Sequence, residues 1–416
     1  MRRPTPDAGT NVAGEDESRQ EVGVLVEKLA DRAAALRNDL VSLSHDIHSN
    51  PELCYEERFA HDRICEFFER AGWRVTRRAY GLETAFEARH GSGRPVVAFL
   101  CEYDALPGIG HGCGHNVIAA TSVGAGLLAA GALSPGEGSI VVLGTPAEEG
   151  GGGKIRLAEA GAFDEVDAAL MVHPANADLE EMSTVAVSQF EVRYFGEAAH
   201  AAAFPHQGRN ALDAAVLGYL NVAALRQHIR PSERIHGIIT RGGDKPNVIP
   251  ARAASEWYVR SPDLDSLAAL EKRFEACIRA GADAAGCRVE LVKRPEVYAE
   301  LRTNRTLLDV FALAMEAQGR PLAPPSDECS VVGSTDMGNV SHLVPSIHPM
   351  IRIAPATVAI HTPEFAEYAV SATAEEAIAI GAISMATTGL MLIRYPQLLR
   401  RAWQDHHEHG AESTYG

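Results

Sequence analysis

Two glycine-rich loops carry side chains that can bind a metal ion or move a proton. Cys113 and His115 lie two residues apart in a loop between a predicted strand and an apolar helix. Its glycines let the backbone fold tightly, so that the thiol and the imidazole can face one metal ion. Glu148 and Glu149 follow another predicted strand. Adjacent carboxylates can divide the work: one binds metal and the other acts as general base on metal-bound water.

Two histidines extend this set. His173 follows a third predicted strand, and His361 lies between a strand and the last long helix. Taken singly, a histidine after a strand is more often structural, and a pair of glutamates is usually a solvated turn. Four strand-end segments with such donors in one domain instead predict a shared metal centre of one or two ions. Thiolate and imidazole favour zinc, and the carboxylate leaves manganese or cobalt open.

The elements that must position these residues alternate between strands and helices. After a helix at 21–47, strands are predicted at 74–78, 85–89, 96–101, 139–145 and 168–173, with helices at 64–71, 116–133 and 154–160. This alternation predicts an α/β domain with a largely parallel central sheet. In such sheets the ligand site lies beyond the carboxyl ends of the strands, where the candidate residues fall.

The pattern changes between 183 and 297. Strand, helix, strand, strand, helix and strand follow at 185–195, 211–228, 235–240, 253–259, 264–284 and 288–293, which predicts a compact α+β insertion. The α/β pattern then resumes with a helix at 304–318, a strand at 346–353 and a helix at 363–392. We therefore predict a mobile segment at 1–20, a discontinuous catalytic domain at 21–182 and 298–395, an inserted domain at 183–297 and a polar tail at 396–416.

Composition limits the class of protein. The 416 residues are 46% hydrophobic and 22% charged, as in soluble globular proteins, and we expect no membrane segment. The net charge of -17 argues against nucleic acid and favours a small-molecule substrate. Seven cysteines without framework spacing, and a polar N-terminal stretch unlike a signal peptide, predict a cytoplasmic protein.

The motifs in combination resemble one known family over roughly residues 25 to 390. They are EYDALP at 102–107, GCGHN at 112–116, PAEEG at 146–150, His173, GEAAH at 196–200, GRNALD at 208–213, NVIP at 247–250 and HTPEF at 361–365. The chain resembles the di-metal aminoacylase and carboxypeptidase family, and within it the branch of p-aminobenzoyl-glutamate hydrolases and β-alanyl dipeptidases.

This resemblance implies a zinc-peptidase-like α/β catalytic domain interrupted by a ferredoxin-like α+β lid that forms a homodimer. It also implies a metal-dependent amidohydrolase acting on a small N-acyl amino acid, p-aminobenzoyl-glutamate or a β-alanyl dipeptide. The implied metal ligands are Cys113, His115, Glu149, His173 and His361; the general base is Glu148; the oxyanion donor from the neighbouring subunit is His200; and the substrate-binding residues are Asn247, Arg209 and Arg260.

Two departures from the family pattern bear on these roles. Glu102-Tyr103-Asp104 stands where many relatives have His-x-Asp, so Asp104 is expected to orient a ligand rather than to bind metal. Asn116 replaces an aspartate that is common in the indole-acetyl-amino-acid branch, which favours the p-aminobenzoyl-glutamate side.

Two other functions stay open at this point. A cysteine hydrolase would use Cys113 as nucleophile and His115 as base. A catalytically silent binding homologue would need no second carboxylate.

Overall fold

The chain folds as two compact units. In the computed structural model, which describes residues 12–325 and 332–412, the first unit comprises Met1–Ser183, Leu301–Val331 and Asn339–Gly416. The second comprises Thr184–Glu300 and Val332–Gly338. Part of the segment predicted to be mobile (residues 1–11), Cys329 and the end of the predicted tail (413–416) lie outside the described residues.

Helices and strands alternate along most of the chain. The helices are α1 Val12–Ser49, α2 Arg58–Arg70, α3 His115–Ala132, α4 Gly153–Glu159, α5 Ala211–Leu225, α6 Leu264–Ala284, α7 Arg305–Ala317, α8 Met337–Ser341, α9 Pro363–Tyr368, α10 Ala372–Arg394 and α11 Pro396–Glu412. The strands are β1 Arg74–Arg77, β2 Phe86–Gly91, β3 Val96–Cys101, β4 Ser139–Gly144, β5 Ala168–Leu170, β6 His173–Ala175, β7 Ser183–Thr184, β8 Ala186–Phe195, β9 Arg234–Arg241, β10 Arg252–Ser261, β11 Arg288–Lys293, β12 Val332–Gly333, β13 Ser346–Ile347 and β14 Met350–Arg352.

The central sheet of the first unit has the strand order β1-β2-β4-β3-β5-β13. Strands β4, β3, β5 and β13 pair in parallel, whereas β2 and β1 join antiparallel at one edge. Every residue of β3 and β4 is buried, because helices cover both faces of the sheet. The predicted α/β class with a mostly parallel sheet is confirmed.

Two apolar helices form much of the core beside this sheet. By length and composition α3 and α10 could each span a membrane, but 83% of the apolar window of each is buried inside the fold. Glycines allow their close approach: a Cβ at Gly124 of α3 would lie 2.9 Å from Ala382 of α10 and 2.8 Å from Leu40 of α1. Both helices are therefore packed as core helices of the first unit.

The second unit follows the order β8-α5-β9-β10-α6-β11, and its sheet has the antiparallel order β11-β8-β10-β9. Residues of β10 alternate between exposed or intermediate and buried. Trp257 of β10 packs with Phe274 and Ile278 of α6 in one buried cluster. This is the split βαβ arrangement of ferredoxin-like folds, which the family resemblance implied for the predicted α+β insertion.

Several element bounds differ from the prediction. Helix α1 begins at Val12 rather than in the twenties, and the predicted polar tail forms helix α11. The long helix predicted at 363–392 is two helices: the Ala369 carbonyl accepts a hydrogen bond from Asn116, and Ser371 caps the start of α10. The strand predicted at 346–353 is interrupted at Pro349, which has no backbone N–H for the ladder.

Candidate metal centre

The candidate residues come together because neighbouring parallel strands end at one edge of the sheet. In the β3 and β4 pairing Cys101 is opposite Gly144, and the Thr145 N–H still donates to the Cys101 carbonyl at 2.8 Å. Asp104 follows β3 and the two glutamates follow β4, so both segments emerge side by side. His173 follows β5, which pairs with β3 on its other side.

Two backbone features bring in the remaining donors. Gly114 has a left-handed φ of +78° at the start of α3, and a Cβ there would lie 3.0 Å from the Pro174 ring. The His361 N–H donates to the Gly112 carbonyl at 2.8 Å. That bond fastens the loop before α9 to the glycine-rich loop, although the two are far apart in sequence.

The donor atoms form three overlapping triplets, and within each triplet all of them lie within 4.8 Å of one another. The triplets are Cys113 with His115 and His173, Cys113 with Glu149 and His361, and His115 with Glu148 and Glu149. All five predicted ligands and the predicted general base are thus brought together in the first unit.

Hydrogen bonds orient the two imidazoles. The Nδ1 of His115 donates to Asp104 at 3.0 Å, and the Nδ1 of His173 donates to the Pro174 carbonyl at 2.7 Å. Each ring thereby turns its Nε2 toward the cluster, and the His173 Nε2 lies 3.4 Å from the Cys113 sulfur. Partners of this kind on the far ring nitrogen are typical of metal-binding histidines. Asp104 has the orienting position expected for it.

Burial sets the protonation of these groups when no ion is present. It raises the pKa of the Cys113 thiol well above its ordinary value and lowers that of His173 to about 4. Burial would also raise the pKa of Asp104, but the neighbouring His115 and the N–H of Glu149 hold it at about 2. A neutral imidazole is ready to bind metal, whereas the thiol must lose its proton to do so.

The residues present fit a divalent cation. Among the described residues, the buried His115 Nε2 and Glu149 Oε1 have no hydrogen-bond partner, although they lie 3.8 Å apart. Buried polar atoms rarely lack partners unless an ion or water completes them. A thiol, imidazoles and a carboxylate around such atoms are the donor set of a transition-metal site.

Comparison with known proteins decides the family. Residues 98–394 match the model of peptidase family M20/M25/M40. The chain belongs to this family. It is a metal-dependent amidohydrolase, as the motifs implied.

Individual relatives agree with this family. A Xaa-Arg dipeptidase of Mus musculus is 42% identical, over 92% of each chain. One of the p-aminobenzoyl-glutamate hydrolase subunits of Escherichia coli is 34% identical over 70% of this chain and 65% of its own. A dinuclear metal binding peptidase of the M20 family from Bacillus subtilis has the same fold, with a TM-score of 0.66 at 20% identity over 87% of this chain and 99% of its own.

Three of the residues predicted to contact substrate cluster within the second unit. His200 forms an isolated bridge with Val248, and the Ala201 N–H donates to the Asn247 carbonyl at 3.0 Å. Arg209 forms a bridge with Glu197 of the same segment. The three motifs at 196–200, 208–213 and 247–250 are therefore adjacent.

Arg260 lies at the other end of the same sheet. Along β10, Arg252 is opposite Phe195, whereas Arg260 is opposite Val187. Eight residues of extended strand separate these positions by about 26 Å. The Arg260 guanidinium donates to Ser334 at 3.0 Å and to His236 at 3.3 Å. Within one chain, Arg260 is thus remote from the His200 cluster.

Sequence reasoning missed four buried residues around the centre. Glu102 and Lys154 form an ion pair with no exposed side-chain surface. His348 packs edge to face on His173, with ring centroids 5.3 Å apart. Glu57 accepts hydrogen bonds from the N–H groups of Tyr55 and Ala147 at 2.9 and 2.8 Å and from the Thr84 hydroxyl at 2.8 Å. These roles become visible only from contacts in the folded chain, because nothing in the sequence around each residue marks it as unusual.

Glu57 fixes the turn that presents the two glutamates. Ala147 has a left-handed φ of +61°, a conformation that costs an alanine free energy, and its N–H is held by Glu57. We expect Glu57→Ala to lower the free energy of unfolding by about 2 kcal/mol, because buried N–H groups lose their acceptor. It should also weaken metal binding through Glu149. Thermal unfolding and metal titration measure both effects.

Two variants serve as controls for this prediction. Glu57→Gln keeps an oxygen acceptor for both N–H groups and should lose much less, and Ala147→Gly relieves the left-handed strain without touching the acceptor. If Glu57→Ala had the same stability and metal affinity as the wild type, the turn at Ala147 would not depend on Glu57.

Proposed function

We propose that the protein is a dipeptidase that hydrolyses the amide bond before a basic C-terminal residue, with Glu148 as general base. The observation that carries this proposal is the triplet of His115, Glu148 and Glu149, in which a second carboxylate lies within 4.8 Å of two metal-type donors. A binding protein needs no such group beside its metal ligands.

The proposed chemistry assigns a separate task to each side chain. Cys113, His115, Glu149, His173 and His361 would hold the cation. A divalent ion held there supplies acidification of a water molecule, whose pKa falls to about 7, and polarisation of the substrate carbonyl. Glu148 accepts a proton as the water oxygen adds to the carbonyl carbon, and returns it to the amine nitrogen as the C–N bond breaks.

The donor set supports zinc and two ions. Thiolate and imidazole are ligands that zinc prefers, while manganese and cobalt stay compatible with the carboxylate. Two of the triplets share Cys113 and otherwise use different residues. Such an arrangement suits two neighbouring ions.

A cysteine-nucleophile mechanism is disfavoured by the surroundings of Cys113. Reactive thiols have a lowered pKa and partial exposure. Cys113 is buried, and burial raises its pKa well above the ordinary value. Its sulfur is instead placed among metal-type donors.

The choice of substrate rests on similarity and on charge. The relative named as a Xaa-Arg dipeptidase matches this chain over nearly the full length of both proteins, whereas the p-aminobenzoyl-glutamate hydrolase relative matches a shorter part. A net charge of -17 attracts a cationic side chain and repels a glutamate conjugate. Both point to a dipeptide that ends in arginine or lysine.

We also propose that the active unit is a homodimer in which His200 serves the partner's site. His200 and Arg260 lie at opposite ends of one sheet, so a small substrate that meets both must receive them from different chains. The second unit also presents apolar surface for association: the edge strand β9 exposes Ile238 and Ile239, and α5 exposes Leu220.

A panel of amides tests the substrate proposal. The protein loaded with Zn²⁺ or Mn²⁺ should release amine fastest from dipeptides ending in arginine or lysine. β-Alanyl dipeptides, N-acyl amino acids and p-aminobenzoyl-glutamate complete the panel. Faster release from p-aminobenzoyl-glutamate than from any basic dipeptide would contradict the proposed specificity but keep the enzyme class.

Removal of the base and of the metal should have separable effects. Glu148→Gln keeps the shape of the side chain but cannot take a proton, so turnover should fall about 10³-fold while metal affinity changes little. A chelator should abolish turnover of the wild type, and added divalent metal should restore it. Turnover that survives chelation but is lost on thiol alkylation would instead support the cysteine mechanism.

Mixing two inactive variants tests the shared site. Glu148→Gln and His200→Ala should each be inactive alone. After joint refolding, half of the dimers carry one of each chain, and one of their two sites then combines an intact Glu148 with an intact His200 from the partner. Activity should recover to about one quarter of the wild-type value. No recovery, with mixed dimers shown by mass spectrometry, would place His200 in its own chain's site, whereas full activity of His200→Ala alone would place it outside catalysis.

A further inference from the structure

A fully buried ion pair lies directly behind the candidate metal centre. Glu102 follows β3 and Lys154 is the second residue of α4, and neither side chain has any exposed surface. The Lys154 ammonium donates to the Oε1 atom of Glu102. Burying both charges is costly, so the pair is not explained by stability alone.

The second oxygen of Glu102 faces the centre. Its Oε2 atom lies 3.4 Å from the Nε2 atom of His115. Among the described residues neither atom has a hydrogen-bond partner. The other ring nitrogen of His115 is engaged by Asp104, so Nε2 is the atom that turns toward both Glu102 and Glu149.

Once His115 Nε2 is deprotonated, as metal binding requires, it faces the lone pairs of Glu102 Oε2 at 3.4 Å and of Glu149 Oε1 at 3.8 Å. Lone pairs at such distances repel unless a positive charge lies between them. Zinc ligands about 2.1 Å from the ion in a tetrahedron stand about 3.4 Å apart. Glu102 Oε2 lies at this same distance, 3.4 Å, from His115 Nε2 in the structure.

We propose that Glu102 is a further metal ligand, and that Lys154 is its fixed counter-charge. This rests on the proposed metal-dependent function. Lys154 occupies one carboxylate oxygen and so directs the other toward His115. It also offsets one negative charge in a centre that otherwise collects a thiolate and several carboxylates.

Metal affinity and the visible spectrum of bound Co²⁺ test this assignment without any need for activity. Glu102→Gln should weaken metal binding at least about tenfold, as measured against a chromophoric chelator. It should also change the Co²⁺ absorption bands, which report the number and type of ligands. A residue that only supports the fold would leave those bands unchanged.

Lys154 is tested by a variant that metal should stabilise more strongly than it stabilises the wild type. Lys154→Met leaves Glu102 without its counter-charge, so the metal-free protein should unfold at a lower temperature than the wild type. Bound metal should then raise the unfolding temperature by more than it does in the wild type, because the ion supplies the positive charge that Lys154 no longer provides beside Glu102. The double variant Glu102→Gln/Lys154→Met should regain metal-free stability but keep the weak affinity.

A matched control comes from an ion pair at the other end of β3. Asp167 pairs with Arg94 at 2.6 Å and holds the Val96 N–H. Asp167→Asn should leave metal affinity and the Co²⁺ spectrum as in the wild type. If Glu102→Gln does not fold, metal affinity and the Co²⁺ spectrum are measured on the double variant Glu102→Gln/Lys154→Met instead.

The outcomes separate this inference from the proposed function. Wild-type affinity and an unchanged Co²⁺ spectrum in Glu102→Gln would overturn the assignment of Glu102 while leaving the dipeptidase intact. A wild-type protein that binds no divalent ion would overturn both.

Discussion

A single buried carboxylate holds the parts of the candidate centre in register. Asp104 accepts from the His115 ring at 3.0 Å, from the Glu149 N–H at 3.0 Å and from the Cys54 thiol at 3.4 Å. These groups belong to three separate stretches of chain. Because the carboxylate is fully buried, these bonds form in a medium of low polarity, where each is stronger than in water. The ligand geometry therefore depends on a residue that we do not expect to bind the metal.

The sequence was most informative where periodicity and strand ends coincide. The βαββαβ order of the second unit could be predicted because each element has a clear repeat and each boundary carries a turn or cap, such as Asp263 before α6. The clustering of the candidate donors could be predicted because residues of unusual type, such as Cys113, follow buried strands at the sheet edge where ligands bind. The family motifs then gave Glu148 and His200 their expected roles.

What could not be predicted depends on contacts between distant segments. Lys154 resembles any lysine in a short helix until the fold places it against Glu102. Glu57 resembles any helix-start acid until it is found holding Ala147 in a left-handed conformation. The break between α9 and α10 likewise depends on Asn116. This residue lies more than two hundred residues earlier and donates a hydrogen bond to the Ala369 carbonyl. Local propensity does not contain such information.

The hydrogen bond from the His361 N–H to the Gly112 carbonyl has a consequence for folding during translation. Five of the six proposed ligands, Glu102 included, leave the ribosome before the second unit is made, but His361 follows it. Domains commonly fold as units while the rest of the chain is still being translated. The second unit can therefore complete its own core while the glycine-rich loop still lacks its anchor, and a nascent chain cannot hold the full ligand set. Hydrolytic competence is thus withheld until the segment that carries His361 has been translated.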